Sequence, residues 1–173
     1  ASNLAYGFET ARVDGYGDDK VVAEAQRLRD YTIPSNMEYL EDMYDPKTGT
    51  SGTAFRNKDT GEVILAYTGT NFSFRPEALN DVGTDFNEVI IPGREHYKPA
   101  YEFYERVRAK YGNNVILTGH SLGGNIAQRV ALEYNVQKTV VYNSAPLYIS
   151  EVSKGSTGYD KEAPDIEERK RIN

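Results

Sequence analysis

The apolar positions fall into short blocks, each with its own period. Val21, Val22, Ala25 and Leu28 recur at helical spacing behind Asp18 or Asp19, predicting a capped helix that runs to about Asp30. Ser35-Asn36-Met37-Glu38 has the form of a capping box before Tyr39, Leu40 and Met43, which predicts a second helix. Thr53-Ala54-Phe55-Arg56 and Glu62-Val63-Ile64-Leu65-Ala66-Tyr67 flank the turn residues 57–61, the pattern of a β-hairpin. The second run is nearly all apolar, as in a strand covered on both faces. Residues 71–95 are irregular apart from a short helix near Pro76–Asn80. Tyr97 to Tyr111 has helical spacing, with Tyr101, Tyr104 and Val107 inward and Gly112 as its C-cap. Asn114 to Thr118 and Lys138 to Asn143 read as buried strands on either side of a helical pattern over Asn125 to Leu132. The alternation predicts an α/β fold with a mostly parallel sheet and right-handed crossovers. The first twenty residues read as an irregular lead-in, and the polar stretch from about Ser150 as a lid, a linker or a disordered end.

Length narrows this to one domain: 173 residues supply a single sizeable core. We divide it into a helical lead-in (1–50), a core sheet (52–147) and a polar tail or lid segment (150–173). No stretch approaches the ~18 apolar residues of a membrane span, and no charged and apolar leader opens the chain, so a signal peptide is absent or removed. The absence of cysteine excludes disulfide and thiol chemistry and leaves the redox compartment open. A net charge of −6 argues against nucleic acid as the main partner.

The candidate chemistry lies at Gly119-His120-Ser121-Leu122-Gly123-Gly124, between a strand pattern and a helix pattern. Gly-x-Ser-x-Gly alone occurs by chance in roughly one chain of this length in twenty. Its placement between strand and helix turns it into a nucleophile elbow, with Ser121 at the bend and glycines leaving room for the crossing. The alternative is a Gly-rich turn that holds an anion on its exposed amides. For the elbow reading, the Leu122 N–H supplies one oxyanion donor. The segment Thr68-Gly69-Thr70-Asn71 is the source of the second: Thr70 offers an N–H and a hydroxyl, unless these residues form an ordinary turn.

These residues resemble the lipase class 3 α/β-hydrolases, bacterial lipase-like members included. Ala66-Tyr67-Thr68-Gly69-Thr70 is similar to that family's strand ending in an Arg-Gly-Thr/Ser oxyanion motif, with Thr68 in place of Arg. Asp81-Val82-Gly83-Thr84-Asp85-Phe86 resembles its Asp-Trp-Leu-x-Asp-Leu segment, keeping both acids and losing the Trp and first Leu. His96-Tyr97-Lys98-Pro99-Ala100-Tyr101 falls where the family has His-x-Gly-Phe, and Asn143-Ser144-Ala145-Pro146 where its next strand ends. The resemblance runs in order from about Glu62 to Pro146. It implies an α/β-hydrolase-like sheet, incomplete at its C-terminal edge, and carboxylic-ester hydrolysis through an acyl-enzyme on Ser121. It also implies a lipid or ester substrate, peripheral contact with a lipid surface, and neither cofactor nor metal. In that frame Asp81 and Asp85 brace the oxyanion loop. A small-ester esterase or thioesterase fits the same residues.

A serine hydroxyl needs a base and an acid to orient it, which follow the nucleophile in this fold as Asp or Glu, then His. No histidine follows Ser121. His120 adjoins it, and its expected place is packed beneath the elbow; His96 falls at a helix start, as a structural residue. Asp160 and Asp165 are weak acid candidates in a charged tail. Three arrangements remain. The chain can be a piece of a longer lipase-like polypeptide, can be completed by a second chain, or can be an incomplete hydrolase domain kept for binding. The exposed sheet edge after the last strand and the charged run 167–171 favour the first.

Overall fold

A computed structural model describes residues 1–69 and 94–144. Five strands form one sheet in the order β1 (Met37–Tyr44), β2 (Ser51–Asn57), β3 (Val63–Thr68), β4 (Val115–His120) and β5 (Thr139–Tyr142). The pairings β1–β2 and β2–β3 are antiparallel; β3–β4 and β4–β5 are parallel. The sheet is therefore mixed, and its parallel half is the part that carries the elbow. The expected hairpin is present as β2–β3. The helix expected from residue 97 begins earlier, as α3 (Arg94–Tyr111), and α4 (Leu122–Tyr134) follows the elbow.

Two helices precede the sheet, α1 (Ser2–Val13) and α2 (Val21–Arg29). The first corrects the expectation of an irregular lead-in. Leu4, Ala5, Phe8 and Ala11 form its buried stripe, and Gly7 in its middle is a contact rather than a break. A Cβ there would stand 2.5 Å from the Ala25 carbonyl oxygen of α2. The second correction is β1, which lies where the capping-box pattern predicted a helix. Its pairing with β2 slips between Tyr39 and Glu41. This bulge lets Met37 and Tyr39 pack toward α1, and Leu40 and Met43 toward α3. An irregular strand thus spaces its apolar residues like a helix. Arg12 of α1 pins the strand through Asp42, with Nε–Oδ2 at 2.7 Å and a second bond at 2.8 Å.

The sheet separates two cores. Leu65, Tyr67 and Leu117 pack with Phe103, Val107, Ile126 and Val130 on the α3–α4 side, while Phe55 packs with Leu4, Phe8 and Val21 on the α1–α2 side. The tyrosines and phenylalanines of α3 are part of the first core. Each helix layer buries its apolar stripe, so the carboxyl ends of β3, β4 and β5 are held in fixed relation. In sheets of this kind the carboxyl ends of the parallel strands are where ligands bind.

Candidate active site

Strand alternation decides which way each residue of β4 faces. Val115 and Leu117 join the α3–α4 core. Thr118 is hydrogen-bonded to Ser2 of α1, and the His120 ring lies edge-on to Tyr6 of α1, 6.2 Å away. His120 is exposed on that side. This corrects the expectation that it packs beneath the elbow: it is in phase with Ile116 and Thr118, not with the residues that meet α4.

The chain reverses at Ser121, which adopts φ 55° and ψ −122°. A non-glycine residue there carries strain of order 1–3 kcal/mol. Hydrogen bonds hold the turn from both ends. The Ser121 N–H donates to the Tyr142 carbonyl on β5 (3.1 Å), and the Ser121 carbonyl accepts from the Asn125 N–H (3.2 Å), opening α4. Contact distances explain the glycines. A Cβ on Gly119 would lie 2.2 Å from the Gly123 carbonyl oxygen, and one on Gly123 would lie 2.2 Å from the Tyr67 carbonyl oxygen. The N-terminus of α4 therefore crosses backbone to backbone over the end of β3, and the Gly-x-Ser-x-Gly spacing is a packing requirement.

Gly69 extends this crossing. A Cβ on it would meet the Leu122 Cβ at 2.2 Å and the Gly123 nitrogen at 3.1 Å. The exit of β3 thus lies against the first turn of α4, whose N–H groups have no acceptor within the helix and form its positive end. Leu122, the expected oxyanion donor, belongs to that turn. Ser121 is half-buried, and among the described residues its hydroxyl makes no hydrogen bond. Thr70, Asp81, Asp85, Asp160 and Asp165 lie outside the described residues, as does the expected short helix near 76–80. His96 falls in the first turn of α3. Among the described residues no cluster of three or more acidic or histidine side chains can hold a metal ion.

Two buried polar groups beside the elbow were not singled out by the sequence pattern. The Tyr97 hydroxyl donates to Asn125 Oδ1 at 2.8 Å, joining the start of α3 to the first turn of α4. Burial pushes the Tyr97 phenol up to about 12, so it stays a donor at neutral pH. The Arg129 guanidinium lies over the Tyr97 ring, 5.8 Å from its centre. On the other face, Glu9 of α1 is buried; Thr68 hydrogen-bonds its carboxyl, and Oε1 has no partner among the described residues. Burial pushes Glu9 up to about 7, against the opposing Thr68 bond. Thr68 also bonds Ser51 across the sheet, so the residue before Gly69 is anchored twice. Glu9 stands four residues after the buried Ala5, and this acid within an apolar stripe was the available signal.

A family model described as a Tle-like phospholipase domain matches residues 5–168. No curated protein sequence matches the chain. Similar solved structures include a lipase from Rhizopus microsporus var. chinensis, with 20% identity over 82% of this chain and 54% of that one, TM-score 0.49. The Lip2 lipase of Yarrowia lipolytica has 21% identity over 71% and 49% of the two chains, TM-score 0.46. Lipase II of Rhizopus niveus has 21% identity over 80% and 56%, TM-score 0.44. The chain spans about half the length of these lipases.

Proposed function

The chain belongs to the Tle-like phospholipase domain family, a lipase-like α/β-hydrolase group, and on that premise we propose that it cleaves carboxylic esters of phospholipids through an acyl-enzyme on Ser121. The observation that carries this reading is the conformation of Ser121, a strained non-glycine residue set between two obligatory glycine crossings. A glycine would occupy the bend without strain. A serine there presents a hydroxyl at the carboxyl end of the parallel strands, beside the positive end of α4.

In the first step the Ser121 Oγ attacks the ester carbonyl carbon while its proton passes to a general base. The negative oxygen that forms accepts hydrogen bonds from the Leu122 N–H and from Thr70, a pair whose members are each worth about 10²–10³ in kcat. Collapse expels the alcohol, which takes the proton from the base, and water then attacks the acyl-enzyme by the same route. Asp81 and Asp85 brace the oxyanion loop. No histidine follows Ser121, and His120 faces α1. We therefore assign the base to residues outside this sequence or to a second chain, and the acid either to the same source or to this chain. Asp160 and Asp165 are the acid candidates within it.

The same lack of a later histidine favours one other reading, a catalytically incomplete domain that binds lipid. A fluorophosphonate probe separates the two. Labelling that Ser121→Ala abolishes, in this chain or in a longer polypeptide containing it, supports the nucleophile. An unlabelled Ser121 in both overturns it.

A further inference from the structure

On the α1 side of the elbow a cavity of about 280 Å³ is lined by Ser2, Asn3, Tyr6, Arg29, His120 and Tyr142. We propose that this cavity binds the phosphodiester of a phospholipid headgroup and so selects phospholipids over neutral lipids for cleavage at Ser121. The proposal rests on the reading of Ser121 as the site of ester cleavage.

Position is the first argument. His120 precedes Ser121 in the chain, and Tyr142 holds the Ser121 N–H through its carbonyl, so two walls of the cavity also build the elbow. A phosphate seated there adjoins the residues that build the bend, as the phosphodiester of a lipid adjoins its ester. Charge is the second. The chain carries a net charge of −6, yet this lining contains a guanidinium and an imidazole and no carboxylate. The Arg29 Nε donates to Asn3 Oδ1 at 2.9 Å and Nη2 donates to the same oxygen, a neutral partner, and among the described residues no carboxylate pairs with Arg29. Those bonds orient the guanidinium through one edge, leave its remaining N–H groups for a phosphate's oxygens and leave its charge uncompensated.

Pre-organisation is the third argument. The Tyr6 hydroxyl donates to the His120 carbonyl at 3.0 Å, and its ring meets the imidazole at an interplanar angle of 75°. The His120 ring is therefore held by a neighbour that is itself hydrogen-bonded. Shape favours a lipid over free phosphate. At about 280 Å³ the cavity falls just below the range of about 300–1,000 Å³ usual for whole small ligands, a size for a headgroup. It shares Ser2, Asn3 and Tyr142 with a groove of about 460 Å³ floored by Ile64, Ile116 and Val140. The cavity sets a guanidinium in a largely apolar lining and adjoins this groove, a combination that matches an amphiphile, and Tyr142 stands exposed at their junction.

The test compares two soluble ligands by calorimetry on the Ser121→Ala chain: dihexanoylphosphatidylglycerol and dihexanoylglycerol, which share both esters and differ in the headgroup. The phospholipid should bind at least tenfold more tightly. Arg29→Gln should reduce this preference to threefold or less, and His120→Gln, at an exposed position that does not burden folding, should reduce it by at least threefold. Inorganic phosphate at 10 mM should not displace the phospholipid. A parent chain without preference, a preference that survives both substitutions, or full displacement by inorganic phosphate each overturns the proposal. Fluorophosphonate labelling of the unsubstituted chain is read in parallel. Intact labelling without headgroup preference removes the cavity's role alone, and preference without labelling in either this chain or a longer polypeptide containing it removes the nucleophile reading alone.

Discussion

Replacing Glu9 by Gln should stabilise the chain at neutral pH and leave it unchanged in acid. Glu9 is buried against Thr68 with Oε1 unpartnered among the described residues, and burial raises it from 4.5 to about 7. In the unfolded chain the carboxyl ionises near 4.5; in the folded chain it holds its proton until about 7. Between those values the folded state binds the extra proton, so stability is highest below 4.5 and falls as pH rises through this window, reaching a floor above 7. The loss is about 1.4 kcal/mol per pH unit, hence about 3 kcal/mol over the whole window. Gln has nearly the same shape, keeps a group for Thr68 to bond, and carries no charge at any pH. Urea unfolding of both forms from pH 4.5 to 8.5 measures the difference, and every other titrating group cancels in it. The two curves should coincide near pH 4.5, separate through pH 5–7 and run parallel above. A gap below about 1 kcal/mol at pH 8, or one that is constant with pH, refutes the buried-carboxyl argument.

Ser121→Gly removes a strained φ of 55° and the hydroxyl together. Relief of about 1–3 kcal/mol, less the entropy that glycine gives the unfolded chain, leaves a net gain of about 1 kcal/mol in thermal or urea unfolding, with probe labelling abolished. A destabilised Ser121→Gly would show that the bend is unstrained. Gly123→Ala should act in the opposite sense. Its Cβ would sit 2.2 Å from the Tyr67 carbonyl oxygen, a backbone atom that moves only with β3, so stability should fall by about 1–3 kcal/mol. The probe should also label Ser121 more slowly, because β3 is pushed from Leu122; full stability with full labelling would refute the backbone crossing.

What was legible in the sequence had a local cause. The strand-to-helix turn at Ser121, the β2–β3 hairpin, the two parallel strands and α4 each follow from spacing that a turn or one buried face dictates, and each stands close to where the pattern puts it. What escaped depends on distant partners. Gly7 looks like a helix breaker until α2 is seen to pass 2.5 Å from where its Cβ would be. Met37, Leu40 and Met43 look helically spaced, but a bulge set by pairing with β2 sends Met43 to the face of Leu40, opposite Met37. Nearness to Ser121 suggests a place for His120 beneath the turn, whereas strand phase carries it to α1 and Tyr6. The first and third of these departures lie on the α1–α2 side of the sheet. The α3–α4 side, which assembles the glycine crossings, is written in a short motif. The α1–α2 side, which supplies Arg29, Tyr6 and the setting of His120, is written in residues far apart in sequence. If the first side performs ester cleavage and the second selects the headgroup, the chemistry is readable from the motif, and the specificity only from the folded chain.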